Sequence, residues 1–158
     1  MTDEEILNIY GIALNNRIVS FDGGMEYSKE FCTANGPLYF ALDDWSVSEI
    51  DDTLLPVINS ALSNHDLEET TGSEIVWIEL DYLLTKMWFH GHHNENKPDF
   101  SMPTDHFKRV VLLWKQFLLQ PPLNGTKVSY YERVVLKWKL FLKRWRQFLK
   151  MHSFDGFK

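Results

Sequence analysis

The stretch Ser73-Glu-Ile-Val-Trp-Ile-Glu-Leu-Asp-Tyr-Leu-Leu-Thr-Lys-Met-Trp-Phe89 decides the fold class. Ile75, Ile78, Tyr82 and Met87 are among its apolar residues, and a serine opens it. That spacing predicts a helix from Ser73 to about Phe89. Glu79, Asp81 and Lys86 interrupt the apolar run, so it is not a membrane span, which needs about 20 mostly apolar residues.

Downstream, Gly91 to Pro103 reads as a polar loop. Thr104 opens a helix to about Leu119, and Gln120-Pro-Pro-Leu-Asn-Gly125 breaks it. Ser129-x-x-Glu132 caps a last helix that runs to about Met151. Arg109-Val-Val-Leu-Leu-Trp-Lys-Gln-Phe-Leu118 recurs as Arg133-Val-Val-Leu-Lys-Trp-Lys-Leu-Phe-Leu142, with 8 of 10 positions identical. Two such segments joined by a short Pro-rich connection read as a helical hairpin packed through similar faces.

Upstream, Thr2-x-x-Glu5 is a capping box for a helix near 3–16. Arg17-Ile-Val-Ser-Phe21 followed by Asp22-Gly23-Gly24 reads as an extended piece ending in a turn. Glu26 to Ala34 reads as a short helix, and Leu38 to Leu42 as a strand or a buried helix. Ser46-x-x-Glu49 is a further cap. Leu54, Leu55, Val57, Ile58, Ala61 and Leu62 form a helical stripe with Pro56 near its first turn. The resulting expectation is a mainly α, compact single domain over 1–158. It has five to six helices and a C-terminal helical hairpin, with room for one short β-hairpin near residues 17–42.

Composition narrows the class. The chain has 158 residues, 44% hydrophobic and 15% aromatic, which excludes global disorder and fits one domain with its own core. Its single cysteine, Cys32, excludes an intramolecular disulfide and Cys-cluster metal sites. The opening Met1-Thr2-Asp3-Glu4-Glu5 lacks the basic and apolar regions of a signal peptide, so a cytoplasmic location is expected.

The formal charge of -6 conceals a split: residues 1–82 hold 17 acidic and 2 basic side chains, residues 83–158 hold 5 and 14. Two arrangements follow. Either the halves face each other and cancel, or one presents a surface of one sign to a partner. The basic side contains a strong amphipathic helix. Tyr131, Val134, Val135, Trp138, Phe141, Leu142, Trp145, Phe148 and Leu149 fall within an arc of about 140°, and the lysines and arginines fall outside it.

Three functional readings follow. From Asp43 to Glu79 carboxylates recur with no Lys or Arg among them. Aromatic anchors ringed by carboxylates suit a basic protein: the rim steers the encounter and the anchors supply the contact. The residues that would carry it are Asp43, Asp44, Trp45, Glu49, Asp51, Asp52, Asp66, Glu68 and Glu69. No Walker A loop, nucleophile elbow, dinucleotide fingerprint or calcium loop is present, so no enzyme is expected, and no cofactor. The first reading is therefore an acidic binding protein that neutralises or masks a basic partner. Immunity proteins that inhibit bacterial nuclease-type toxins are a class of that kind. The acidic first half would repel a phosphate backbone, which argues against direct nucleic-acid binding. The second reading is a membrane-surface or regulatory module acting through the basic helix 129–151. The third is a metal-dependent hydrolase using His90, His92, His93 and His106 with neighbouring carboxylates, though the paired-ligand spacing of helical zinc sites is missing.

Overall fold

A computed structural model describes residues 1–21, 24–43, 45–91 and 97–127. The order is α1 (Asp3–Ile9), β1 (Ala13–Phe21), β2 (Gly24–Cys32), α2 (Gly36–Leu42), α3 (Val47–Glu49), a π-helical turn (Ile50–Leu54) and α4 (Leu55–Ser63). There follow β3 (Glu69–Gly72), β4 (Val76–Leu80), β5 (Leu84–Phe89), β6 (Phe100–Pro103) and α5 (Thr104–Leu119). The protein is thus mixed α/β, and the mainly α expectation is overturned. The strands form two antiparallel sheets, a β1–β2 ribbon and a four-stranded meander β3-β4-β5-β6.

The correction is sharpest at 73–89. Instead of one helix, this stretch forms the β4–β5 hairpin, with Trp77 opposite Trp88 and Ile78 opposite Met87. Val76, Ile78 and Leu80 are fully buried while Trp77 is exposed, so burial follows a period of two. β-branched and aromatic residues favour this pleated surface. Ser73 is no helix cap. Its Oγ accepts from the backbone N–H groups of Ile75 and Val76, the local bonding an N-cap serine makes, but inside the β3–β4 turn. The β4–β5 turn is fixed by Asp81, whose Oδ1 accepts from Leu83 and Leu84 N–H at 2.7 Å each.

Of two further expected helices, one is shortened and the other is a strand. The helix near 3–16 ends at Ile9, because Gly11 turns the chain at φ 58° and β1 begins at Ala13. Glu26 to Ala34 lies largely in β2, paired along its length with β1. The hairpin allowed near 17–42 is this ribbon, and Leu38–Leu42 is helical within α2. The polar loop 91–103 ends in β6. The helix 104–119 is α5, but Thr104 does not cap it. Its hydroxyl donates to Asp81 O at 2.7 Å and accepts from Thr85 Oγ1, tying the helix start to the meander. The second member of the expected helical hairpin, 129–151, lies outside the described residues.

α5 is the spine. Phe107, Val110, Val111, Trp114 and Leu118 are buried along one side of it. They join Ile6, Phe31, Leu38, Ile50, Leu54, Ile58, Ile78 and Met87 in one core cluster. Trp114 sends its indole N–H to Leu42 O at 3.1 Å. Lys29 of β2 is buried too, and its ammonium reaches the last carbonyls of α5, at Phe117 (2.5 Å) and Gln120 (2.7 Å). Phe117 O also accepts from Gln120 N–H and Gln120 O from Asn124 N–H, so the ammonium takes the second lone pair of each, and a cation suits the negative end of a helix.

Candidate functional site

Trp45 sits in the short link between α2 and α3, its backbone N–H donating to Leu42 O. Ser46 then caps α3 in the way its spacing predicts: its Oγ accepts from Glu49 N–H, and Glu49 Oε2 accepts from Ser46 N–H at 2.8 Å. The Ser46 hydroxyl and backbone N–H hold the Glu49 carboxyl below its ordinary range, so it carries charge at neutral pH. The π turn follows. It buries Ile50 and Leu54 and leaves Asp51, Asp52 and Thr53 on the outside.

Across from this lies the β3–β4 turn. Gly72 is required there by close approach, since a Cβ would meet Val76 O at 2.2 Å. Ser73 Oγ donates to Phe40 O at 3.2 Å and pins the turn to α2. Between the two elements runs an open groove of about 650 Å³ lined by Trp45, Glu49, Thr53, Gly72, Ser73 and Glu74. Its volume lies within the range of small ligand clefts, roughly 300–1,000 Å³.

The residues expected to bind a partner separate into groups. Trp45 and Glu49 line the groove. Asp43, Asp51 and Glu68 are turned to internal use: Asp43 pairs with Lys127 at 3.1 Å, Asp51 with Lys115 at 2.5 Å and Glu68 with Lys86 at 3.9 Å. Glu69 accepts from Ser60 Oγ at 2.7 Å. Asp52 and Asp66 are exposed, and Asp44 lies outside the described residues. With Asp3–Arg109, four of the five ion pairs seen among the described residues join the acidic half to the basic half. The two halves therefore do meet within one molecule, and four of the 17 carboxylates of the acidic half are paired there. Trp45 is buried at the groove wall.

Glu74, Ser73, Gly72 and Thr53 were missing from the expected set. Reading 73–89 as a helix hid the first three, because a turn at Gly72-Ser73 is what carries Glu74 to the groove, while Thr53 comes from the π turn.

Only part of the histidine cluster, His90 and His106, lies among the described residues. Among the described residues no group of three or more His, Cys, Asp or Glu side chains is placed to hold a metal. His90 Nε2 bonds Ser73 O, while His106 Nδ1 shares a 2.7 Å hydrogen bond with the Tyr10 hydroxyl. Asp99 accepts from Phe89 N–H. His92, His93 and Glu95 lie outside the described residues. Burial and then the nearby Asp105 charge push the Tyr10 hydroxyl above its ordinary range, so it stays protonated.

No described helix is long and apolar enough to cross a membrane. No family model, curated protein or solved structure matches this chain.

Proposed function

We propose that this chain is a binding protein that masks a basic protein partner, with the groove beside Trp45 at the centre of its contact face. A nuclease-type toxin is the partner class whose own phosphate-binding cleft calls for such a mask. The observation that supports the reading is the groove itself, which places Glu49 and Glu74 about a concave surface with an aromatic wall. The intramolecular pairs narrow the face. Asp43, Asp51 and Glu68 already answer lysines of the same molecule, which leaves exposed Glu49 and Glu74 on the groove and exposed Asp52 on the neighbouring π turn. Charge at such a rim sets the rate of encounter, and an aromatic in a pocket sets the lifetime of the complex.

The test is capture on the immobilised full chain from lysate of its source, followed by binding kinetics with the purified captive. A basic protein whose association slows as salt rises, and slows again with Glu49→Lys, Asp52→Lys and Glu74→Lys together, is the expected result. A captive that is acidic, or one indifferent to all three reversals, overturns it.

A further inference from the structure

Building on that reading, we propose that the groove receives one arginine of an extended segment of the basic partner, with a backbone carbonyl of the same segment bonded to the Trp45 indole N–H. Two independent observations meet here. The first is an unmet donor. Trp45 is only 8% exposed, yet its indole N–H makes no hydrogen bond among the described residues. Trp114, which is fully buried, gives its indole N–H to Leu42 O at 3.1 Å. Buried tryptophans ordinarily find such a partner. Among the described residues no side-chain nitrogen or oxygen is both sealed from solvent and unbonded. The Trp45 N–H therefore opens on solvent, and the space Trp45 lines is the groove.

The second observation is unspent acceptor capacity on the same walls. Glu49 uses Oε2 on Ser46 and keeps Oε1. Glu74 is exposed and has no ion pair or hydrogen bond among the described residues. A ligand seated in this groove meets walls that carry one donor and two carboxylates. An anionic acceptor for the indole would be repelled by Glu49 and Glu74, so the acceptor is neutral and its neighbour is cationic. A peptide carbonyl beside an arginine supplies both. The planar guanidinium fork can engage carboxylate oxygens from two residues at once, which a lysine point charge does less well. The groove is open to solvent and not enclosed, so a segment can enter it from the surface.

The experiment uses the full chain with nitrogen-15 in its indoles, titrated with acetyl-Gly-Arg-Gly-amide. Parallel titrations use the citrulline and lysine counterparts. Trp45→Phe serves only to assign the Trp45 resonance. Glu74→Gln, at an exposed position, carries the energetic test without endangering the core. The Trp45 indole resonance is expected to move with the arginine peptide. Glu74→Gln is expected to weaken that binding about tenfold, the scale of one lost charge-assisted hydrogen bond. The citrulline peptide is expected to bind at least as weakly. An unmoved Trp45 resonance, an unchanged Glu74→Gln affinity, or equal binding of the lysine peptide overturns the proposal. If a captured basic partner ignores Glu74→Gln, the groove assignment fails and the masking function stands. If the peptide binds as described but no basic protein is captured, the masking function fails and the groove assignment stands.

Discussion

Lys29→Met isolates one tie between the ribbon and the rest of the molecule. The Lys29 ammonium lies 2.5 Å from Phe117 O and 2.7 Å from Gln120 O, and 4.5 Å from the centre of the Phe117 ring. A third carbonyl, Pro121 O at 3.5 Å, is too distant to count. A hydrogen bond from a charged donor contributes about 1.5–3 kcal/mol net, so losing two removes about 3–6 kcal/mol. Methionine fills a similar volume and no longer carries a buried charge, which returns part of the loss; that burial also holds the Lys29 pKa below its ordinary value. The expected cost is about 2–4 kcal/mol, a large share of the 5–15 kcal/mol typical of domains. In thermal unfolding this is a fall of about 5–15 °C, and in urea a lower midpoint at unchanged slope. Amide exchange should also quicken at Lys29, whose N–H donates to Lys127 O at 2.9 Å. A variant within about 0.5 kcal/mol of the parent, with unchanged exchange at Lys29, would refute the reasoning.

Other positions offer tests of a similar kind. Asp81→Ala frees two backbone donors in the β4–β5 turn and should lower stability by about 1–3 kcal/mol in urea titration, whereas Asp81→Asn should keep most of it. The Glu49 carboxyl titrates below its ordinary 4.5 in the fold, so its contribution is present above that pH and is lost as pH falls through the lower folded value. Glu49→Gln should therefore flatten the acid limb of Tm against pH below about 4.5, and an unchanged limb would contradict the capping geometry. A double-mutant cycle on Asp51 and Lys115 should give a coupling of about 0.2–1 kcal/mol that shrinks as salt rises, since both side chains are partly exposed.

What could be read from the chain, and what could not, divides along physical lines. The Thr2 and Ser46 capping boxes and the Pro56-started helix depend on bonds within four residues, and they stand where their spacing puts them. The span of α5 stands too, because prolines stop it on a local steric rule. The meander is different. Val76-Trp-Ile-Glu-Leu80 alternates over only five residues, and its buried face exists only once α2 and the rest of the core pack on it. Ser73 compounds the ambiguity, since a serine hydroxyl bonded to following N–H groups serves a turn as well as a helix start. Of the site, Trp45 and Glu49 were legible as an aromatic among carboxylates. Glu74 was not, because only the β3–β4 turn brings it across. The charge split was legible as arithmetic, while its internal cancellation depended on which lysines end up beside which aspartates.

Those cross-half ion pairs bear on how the chain is made. During synthesis the first 82 residues emerge carrying 17 acidic and 2 basic side chains, with neither α5 nor its cations yet present. Such a segment repels itself and lacks the spine its apolar residues pack on. The core is complete only when α5 is present, and α5, with Arg109 and Lys115, leaves the ribosome after the strands. The same polarity makes the chain divisible. The β4–β5 turn exposes Leu83 at 74%, and a cut beside it yields one strongly acidic and one basic fragment. Each needs the other for its core, and their opposite charges draw them together, the two requirements of a split-protein reporter.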